Sequence, residues 1–157
     1  MKQDEQEFAN LVREERATIY SVCYMFAQRA DEVADLFQEV LVRLWQGMAS
    51  FHGDSKRTTW VYRVALNTCI TQDRKRKHRR AAQLSMDVNY FDTHDKRGDQ
   101  VRKLHDRIIR LQPFDRAIVL LWLEDISYDE IAAIVGITPK NVSVRLARIR
   151  QQLKNMQ

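Results

Sequence analysis

The sequence predicts an all-α protein of two small helical domains joined by a linker, the C-terminal one a helix-turn-helix. Three observations point there. The 157 residues include only four Gly and two Pro, so few turns are obligatory and long helices are favoured. Apolar residues recur at three- and four-residue spacings along most of the chain, the period of one helical face. Between residues 81 and 99 that period lapses into polar residues, several Asp and the isolated Met86, Val88, Tyr90 and Phe91. The chain therefore divides into a domain over 6–80, a linker over 81–99 and a domain over 100–157.

The first helix is expected over residues 6–29. Phe8, Leu11, Val12, Ile19, Val22, Cys23 and Phe26 form its stripe, with acids early and Arg29 late to suit the helix dipole. Asp31 is the expected N-cap of a second helix running to Gln46, with Gly47 as its stop. Val33, Leu36, Phe37, Val40, Leu41, Leu44 and Trp45 supply its apolar faces. Asp35, Gln38, Glu39 and Arg43 share an outward polar strip, because residues three and four apart stack on a helix surface. By spacing alone this is either a solvated face with an internal ion pair or a docking strip for a protein partner.

Residues 50–59, SFHGDSKRTT, carry the Gly, Asp and Ser of a loop. A third helix is expected from Thr59 through the basic tract. Val61, Val64, Ala65 and Thr68 can face the core, which leaves Trp60, Tyr62 and Asn67 near an exposed edge. Aromatic residues beside a basic tract suit stacking on unpaired bases, and a core packed on two sides would use them equally well. The tract itself, residues 74–80, is basic at six of seven positions. Like charges on adjacent turns repel, so it meets phosphate or frays.

Past the linker the helical period resumes near Asp99 through Val101, Leu104, Ile108 and Leu111. Pro113 opens another helix, with Ile118, Leu120, Leu121, Trp122 and Leu123 as its core. A short amphipathic run from Tyr128 to Val135 follows, with Ile131, Ala132, Ile134 and Val135 apolar. Gly136 can take a left-handed backbone at no steric cost. Thr138 and Pro139 then read as an N-cap and the favoured first helical residue. Val142, Leu146, Ile149 and Leu153 form the stripe of the last helix, and its opposite face carries Lys140, Val144, Ala147, Arg148 and Gln151. From Thr138 onward there are five basic residues and no acids. This is the pattern of a helix-turn-helix whose second helix enters the major groove. An ordinary helical hairpin with a solvated basic face is the plain alternative.

Charge is unevenly spread. Net charge is −4 over residues 1–50, +8 over 51–110 and +1 over 111–157. A basic middle points to nucleic acid, while the acidic front meets something other than phosphate. Cys23 and Cys69 fall on apolar helix faces without any CxxC or Cys/His cluster, so they are core thiols. The four histidines show no ligand spacing. With no paired carboxylates, triad or phosphate loop, neither an enzyme nor a cofactor is expected. No run approaches the ~18 apolar residues of a membrane span, and the N-terminus lacks the apolar core of a signal peptide. A cytoplasmic protein without membrane insertion is the expectation.

The order of parts resembles the small two-domain bacterial sigma factors of the extracytoplasmic-function (ECF) type. The resemblance covers roughly residues 8–77 and 103–154. It is carried by DLFQEVLVRLW from Asp35 to Trp45, by FHGDSKRTTWVYRVALN from Phe51 to Asn67, and by the helix-turn-helix with RLARIR from Arg145 to Arg150. It implies a protein that binds core RNA polymerase, recognises promoter DNA and helps melt it. Asp35, Gln38, Glu39 and Arg43 then match the strip that binds the polymerase clamp helices. Phe51, Lys56, Arg57 and Thr58 match the loop that captures a flipped base of the −10 element. Trp60, Tyr62 and Asn67 match the helix at the upstream edge of the melted region, and Arg74, Lys75, Arg76 and Lys77 would hold phosphates there. Lys140, Asn141, Ser143, Val144, Arg145, Ala147, Arg148 and Arg150 match the helix that meets the duplex −35 element.

The resemblance further implies an anti-sigma factor as a partner. The family often carries Asp where this chain has Thr71, an apolar residue where it has Asp73, a basic one at Ser143 and a small polar one at Val144. These departures are expected to bear on promoter choice. Val144 and Ala147 suit thymine methyls, and Arg148 suits guanine or a phosphate. A polymerase-independent helix-turn-helix regulator, dimeric on palindromic sites, is the alternative function.

Overall fold

The computed structural model describes residues 2–53, 55–82 and 98–156. Every regular element among them is helical, as the residue spacing predicts. In chain order they are α1 (Lys2–Phe26), α2 (Ala30–Gly47), a 3₁₀ turn (Met48–Ser50), α3 (Arg57–Ala82), α4 (Gly98–Ile108), α5 (Pro113–Leu123), α6 (Tyr128–Val135) and α7 (Pro139–Asn155).

The element ends depart from expectation where capping is decided by neighbours. α1 stops at Phe26 and not at residue 29, because Arg29 takes an extended backbone and is itself the N-cap of α2. Asp31 is thus inside α2. Just before that N-cap, the Gln28 amide donates to Glu32 Oε2 at 3.1 Å. Arg29 pairs with Asp31 at 3.3 Å and Glu32 at 3.5 Å, so it serves the start of α2 instead of the end of α1. Gly47 does not stop α2 through a left-handed backbone, since its φ is −89°. It leaves room: a Cβ there would lie 3.2 Å from Trp60 Cζ2. The loop is shorter than expected. It runs from Phe51 to Lys56, turns at Gly53 with φ +78°, and gives way to α3 at Arg57, two residues before Thr59.

Helix α3 extends to Ala82 and α4 begins at Gly98, so the two ends of the segment assigned as linker are helical. Residues 83–97, with Met86, Val88, Tyr90 and Phe91, lie outside the described residues. In α4 the expected stripe is only half used. Ile108 and Leu111 are buried, Val101 and Leu104 are exposed, and His105 takes the inward place, its Nε2 donating to Tyr24 O at 3.0 Å. The helix-turn-helix forms as its sequence dictates. Ser127 Oγ caps α6 through Glu130 N, and Thr138 Oγ1 caps α7 through Asn141 N. Gly136 sits at φ +81°, where a side chain would be strained.

α1, α2 and α3 pack on one another, and α5, α6 and α7 do the same. The two groups also meet. α5 lies on α1 and α3, α6 lies on α3, and a single apolar cluster runs from Leu11 through Leu44, Val61 and Ile118 to Ile149. Cys23 and Cys69 are free, fully buried thiols within it. Their mutual hydrogen bond, together with burial, pushes the Cys69 thiol well above its ordinary range, which keeps it neutral and inert.

Candidate nucleic-acid and partner interfaces

The strip on α2 is assembled as its spacing predicts. Asp35, Gln38 and Arg43 are exposed and Glu39 is half-buried, with Arg43 Nε 3.3 Å from Glu39 Oε1. The same face continues through Val42 and Trp45, which are 47% and 46% exposed. Trp45 is not lost to the core: one edge meets Phe8 at 5.2 Å in a T-shaped contact and the rest faces water. The three- and four-residue steps from Asp35 through Gln38 and Val42 to Trp45 give this away in the sequence. The strip is therefore amphipathic, a surface with apolar anchors inside a charged frame.

The loop and the start of α3 form a second cluster. Phe51 stacks on Trp60 at 4.9 Å with an interplanar angle of 23°, over the space left by Gly47. Lys56, Arg57 and Thr58 are exposed, yet each has an acidic neighbour. Lys56 pairs with Glu130 at 3.2 Å, Arg57 with Glu14 and Glu15, and Thr58 Oγ1 donates to Glu15 at 3.0 Å. Asn67 is exposed and lines an open cavity of about 260 Å³ with Arg43, Val64, Thr68, Thr71 and Gln72.

Tyr62 is a correction. It is 5% exposed, lies inside the core and hydrogen-bonds Thr18, so it is not on the edge with Trp60. Helix α3 contacts α1, α2, α5 and α6, and a helix walled on several sides buries more than one stripe.

The basic tract divides. Arg74 and Lys75 project into solvent. Arg76 does not: it is held by Glu32 and Asp73 and lies 3.4 Å from Phe26 O. Lys77 lies 3.6 Å from Asp73 Oδ2. Asp73 is fully buried, so its neighbours must neutralise it. As phosphate clamps, Arg76 and Lys77 are thus already committed in this arrangement. Asp73 is buried beside Arg116 of α5, at a position where the family often carries an apolar residue.

On α7, Lys140, Asn141, Ser143, Val144, Ala147, Arg148 and Arg150 are exposed. Arg145 is a correction: it is half-buried, 3.1 Å from Asp115, with its guanidinium 4.7 Å from the Phe114 ring. In this arrangement it joins α7 to α5. Arg150 lies over Trp122 at 5.3 Å, on the flank. The first turn of α7 has no acid, so its N-terminal amides present positive charge to an approaching phosphate. Arg63, which periodicity did not single out, donates from Nε and Nη2 to Ala133 O at 3.1 and 2.6 Å and joins α3 to α6. Among the described residues no cluster of His, Cys, Asp or Glu could hold a metal, and no helix is long and apolar enough to cross a membrane.

Known proteins share this arrangement of parts. The family model described as Sigma-70 region 2 matches residues 11–81, and the one described as Sigma-70, region 4 matches residues 102–153. The ECF RNA polymerase sigma factor SigW of Bacillus subtilis is 27% identical across 98% of this chain and 90% of its own length. The ECF RNA polymerase sigma-E factor of Escherichia coli is 28% identical across 98% of this chain and 88% of its own. Among solved structures, the sigma factor RpoE of Bartonella quintana, in complex with the anti-sigma factor NepR, superposes with a TM-score of 0.76 at 21% identity, covering 98% of this chain and 96% of that one. CnrH, in complex with the cytosolic domain of CnrY, gives 0.70 at 22% identity over 96% and 86%. At that identity the likeness is one of fold.

Proposed function

From the premise that this chain belongs to the ECF sigma factors of the sigma-70 family, we propose how its residues divide the work of promoter recognition and melting. The protein is non-catalytic. It binds core RNA polymerase and the −10 and −35 promoter elements to start transcription. Residues 6–80 form the half that meets the polymerase and the −10 element, and residues 100–157 the half that meets the −35 element.

Asp35, Gln38, Glu39 and Arg43 dock on the polymerase, with Val42 and Trp45 as apolar anchors. The observation that carries this is the continuity of charged and apolar exposure along one face of α2. Phe51 and Trp60 provide the aromatic surface for an unstacked base. Flipping a base costs a few kcal/mol, and stacking on an aromatic ring returns about 1–3 kcal/mol. Asn67 lies about two turns further along α3, and Arg74 and Lys75 hold phosphates. On α7, Val144 and Ala147 pack on base methyls, Arg148 reaches a guanine or phosphate, and Lys140, Asn141 and Ser143 meet the backbone or base edges. The chain acts in the cytoplasm. An anti-sigma factor is among its partners, as it is for RpoE of Bartonella quintana.

The test is transcription from a cognate promoter by purified core polymerase, with and without the protein. Start-site-specific transcript only in its presence is the expected result. Failure of core polymerase to retain the protein in a pull-down would overturn the docking assignment. Duplex binding without polymerase, at a palindrome, would favour a free regulator.

A further inference from the structure

Two buried charges cross the boundary between the halves. Asp73 on α3 has a fully buried side chain, and Arg116 on α5 is 1% exposed. Arg116 Nη1 lies 3.6 Å from Asp73 Oδ1. The Arg116 guanidinium also stacks 5.0 Å from the Phe26 ring centroid of α1, and its Nη2 donates to Ile109 O and Leu111 O at 2.6 and 3.1 Å. It is therefore built into the second half and reaches into the first. Elsewhere along the boundary, Lys56 meets Glu130, Arg63 meets Ala133 O and His105 meets Tyr24 O, all joining the same two halves.

These contacts conflict with the function. The −10 and −35 elements are roughly 25 base pairs apart, which at 3.4 Å per pair is about 85 Å of duplex. Here the helix-turn-helix touches α3 directly, and Glu130 occupies a lysine of the −10 loop. A protein in this shape cannot hold both elements at once. We infer that the Asp73–Arg116 pair is a buried polar latch that holds the free protein closed, with α6 against the −10 surface, and that parts when the two halves engage polymerase and promoter.

The chemistry suits a latch that must open. Taking both ions out of water consumes most of what their attraction returns, and on opening both recover hydration. The pair thus fixes how the halves close without making closure permanent. An apolar pair of similar size would hold harder. Removing Asp73 leaves the Arg116 guanidinium buried without a carboxylate, a penalty that exists only in the closed state, whereas Asp73 without Arg116 would keep Arg76 and Lys77. The exposed Lys56–Glu130 bridge should contribute far less.

The inference rests on the two-site reading above, but its test uses the full free chain without polymerase or DNA, so the two can fail separately. Cysteines placed at the exposed Gln46 and Gln152 carry a donor and an acceptor dye, with Cys23 and Cys69 inaccessible in the core. Single-molecule energy transfer should show one dominant closed population in this background. Asp73→Asn keeps the side-chain shape and removes the charge. It should raise the open-to-closed ratio at least ten-fold, as should Asp73→Ala, while Lys56→Ala changes it less than three-fold. An unchanged distribution in Asp73→Asn at retained helix content would overturn the latch. So would equal opening by Lys56→Ala, which would make surface contacts responsible. Should Asp73→Ala lose helix content, Asp73→Asn decides the matter.

Discussion

Tyr62 and Trp60 stand two residues apart on α3 and do different work. Burial, with the charge of Glu124 adding to it, pushes the Tyr62 phenol up to about 12. Its ordinary value is 10, so the neutral form is favoured in the folded protein. The stabilisation linked to it is complete below pH 10 and fades as pH rises from 10 to about 12. Tyr62→Phe should cost about 1 kcal/mol of stability through the lost hydrogen bond, flatten that alkaline decline, and leave promoter selectivity untouched. Denaturant melts across pH, beside promoter competition assays, check both halves of the statement. Arg148 belongs to the other class. It is exposed on the proposed reading face of α7, whose first turn carries no acid. Arg148→Ala should weaken binding by about 1–3 kcal/mol at one −35 position. An equal loss on every sequence in a binding competition would make it a phosphate contact instead. The exposed residues of α7 were legible from the stripe opposite Val142 and Leu146. Arg145 and Tyr62 were not, because their partners Asp115 and Thr18 lie 30 and 44 positions away in the chain.

At the scale of elements, local chemistry decided the helix-turn-helix and neighbours decided the rest. Gly136 has no atom within 4 Å of an added Cβ, so Gly136→Ala suffers backbone strain alone. A loss of about 1–2 kcal/mol is expected, confined to the second half and visible as faster amide exchange in α6 and α7. The turn, both caps and the apolar stripe of α7 were all readable for that reason: each contact spans at most a few residues. α3 was harder. Its packing against four other helices erases a single apolar face, and the loop before it is shaped by the Phe51–Trp60 stack over Gly47. α2 lies between these cases. Its strip was readable by spacing, and the same three- and four-residue steps reach the exposed Trp45, although a tryptophan in an apolar run is ordinarily core. Reversing the central charge with Glu39→Lys should lower affinity for core polymerase while duplex binding by the second half survives. Unchanged polymerase affinity in that variant would move the docking surface elsewhere.

For the whole molecule, closure sets how much of the protein is ready to act. If only a fraction of free molecules is open, the apparent affinity for polymerase is reduced by that fraction. Asp73→Asn should therefore reach half-maximal transcription at a lower protein concentration than the parent, by a factor tracking its gain in open molecules. Titration of the variant against a fixed amount of core polymerase measures this. Glu130→Gln removes only an exposed bridge between side chains 77% and 46% accessible. Such pairs contribute about 0–1 kcal/mol, so that variant should shift the titration little.

The sequence by itself determined the all-helical class, the helix-turn-helix with its caps, the polar strip of α2 and the uneven charge of the two halves. Those features depend on residues one to four positions apart, where helical geometry fixes who meets whom. Only the tertiary structure decided that Tyr62 is inside, that Arg76, Lys77 and Arg145 are already paired, and that Asp73 finds Arg116 across the boundary between the halves. A buried charge is tolerated only beside its partner, and that partner is set by how distant helices pack, which no local spacing records.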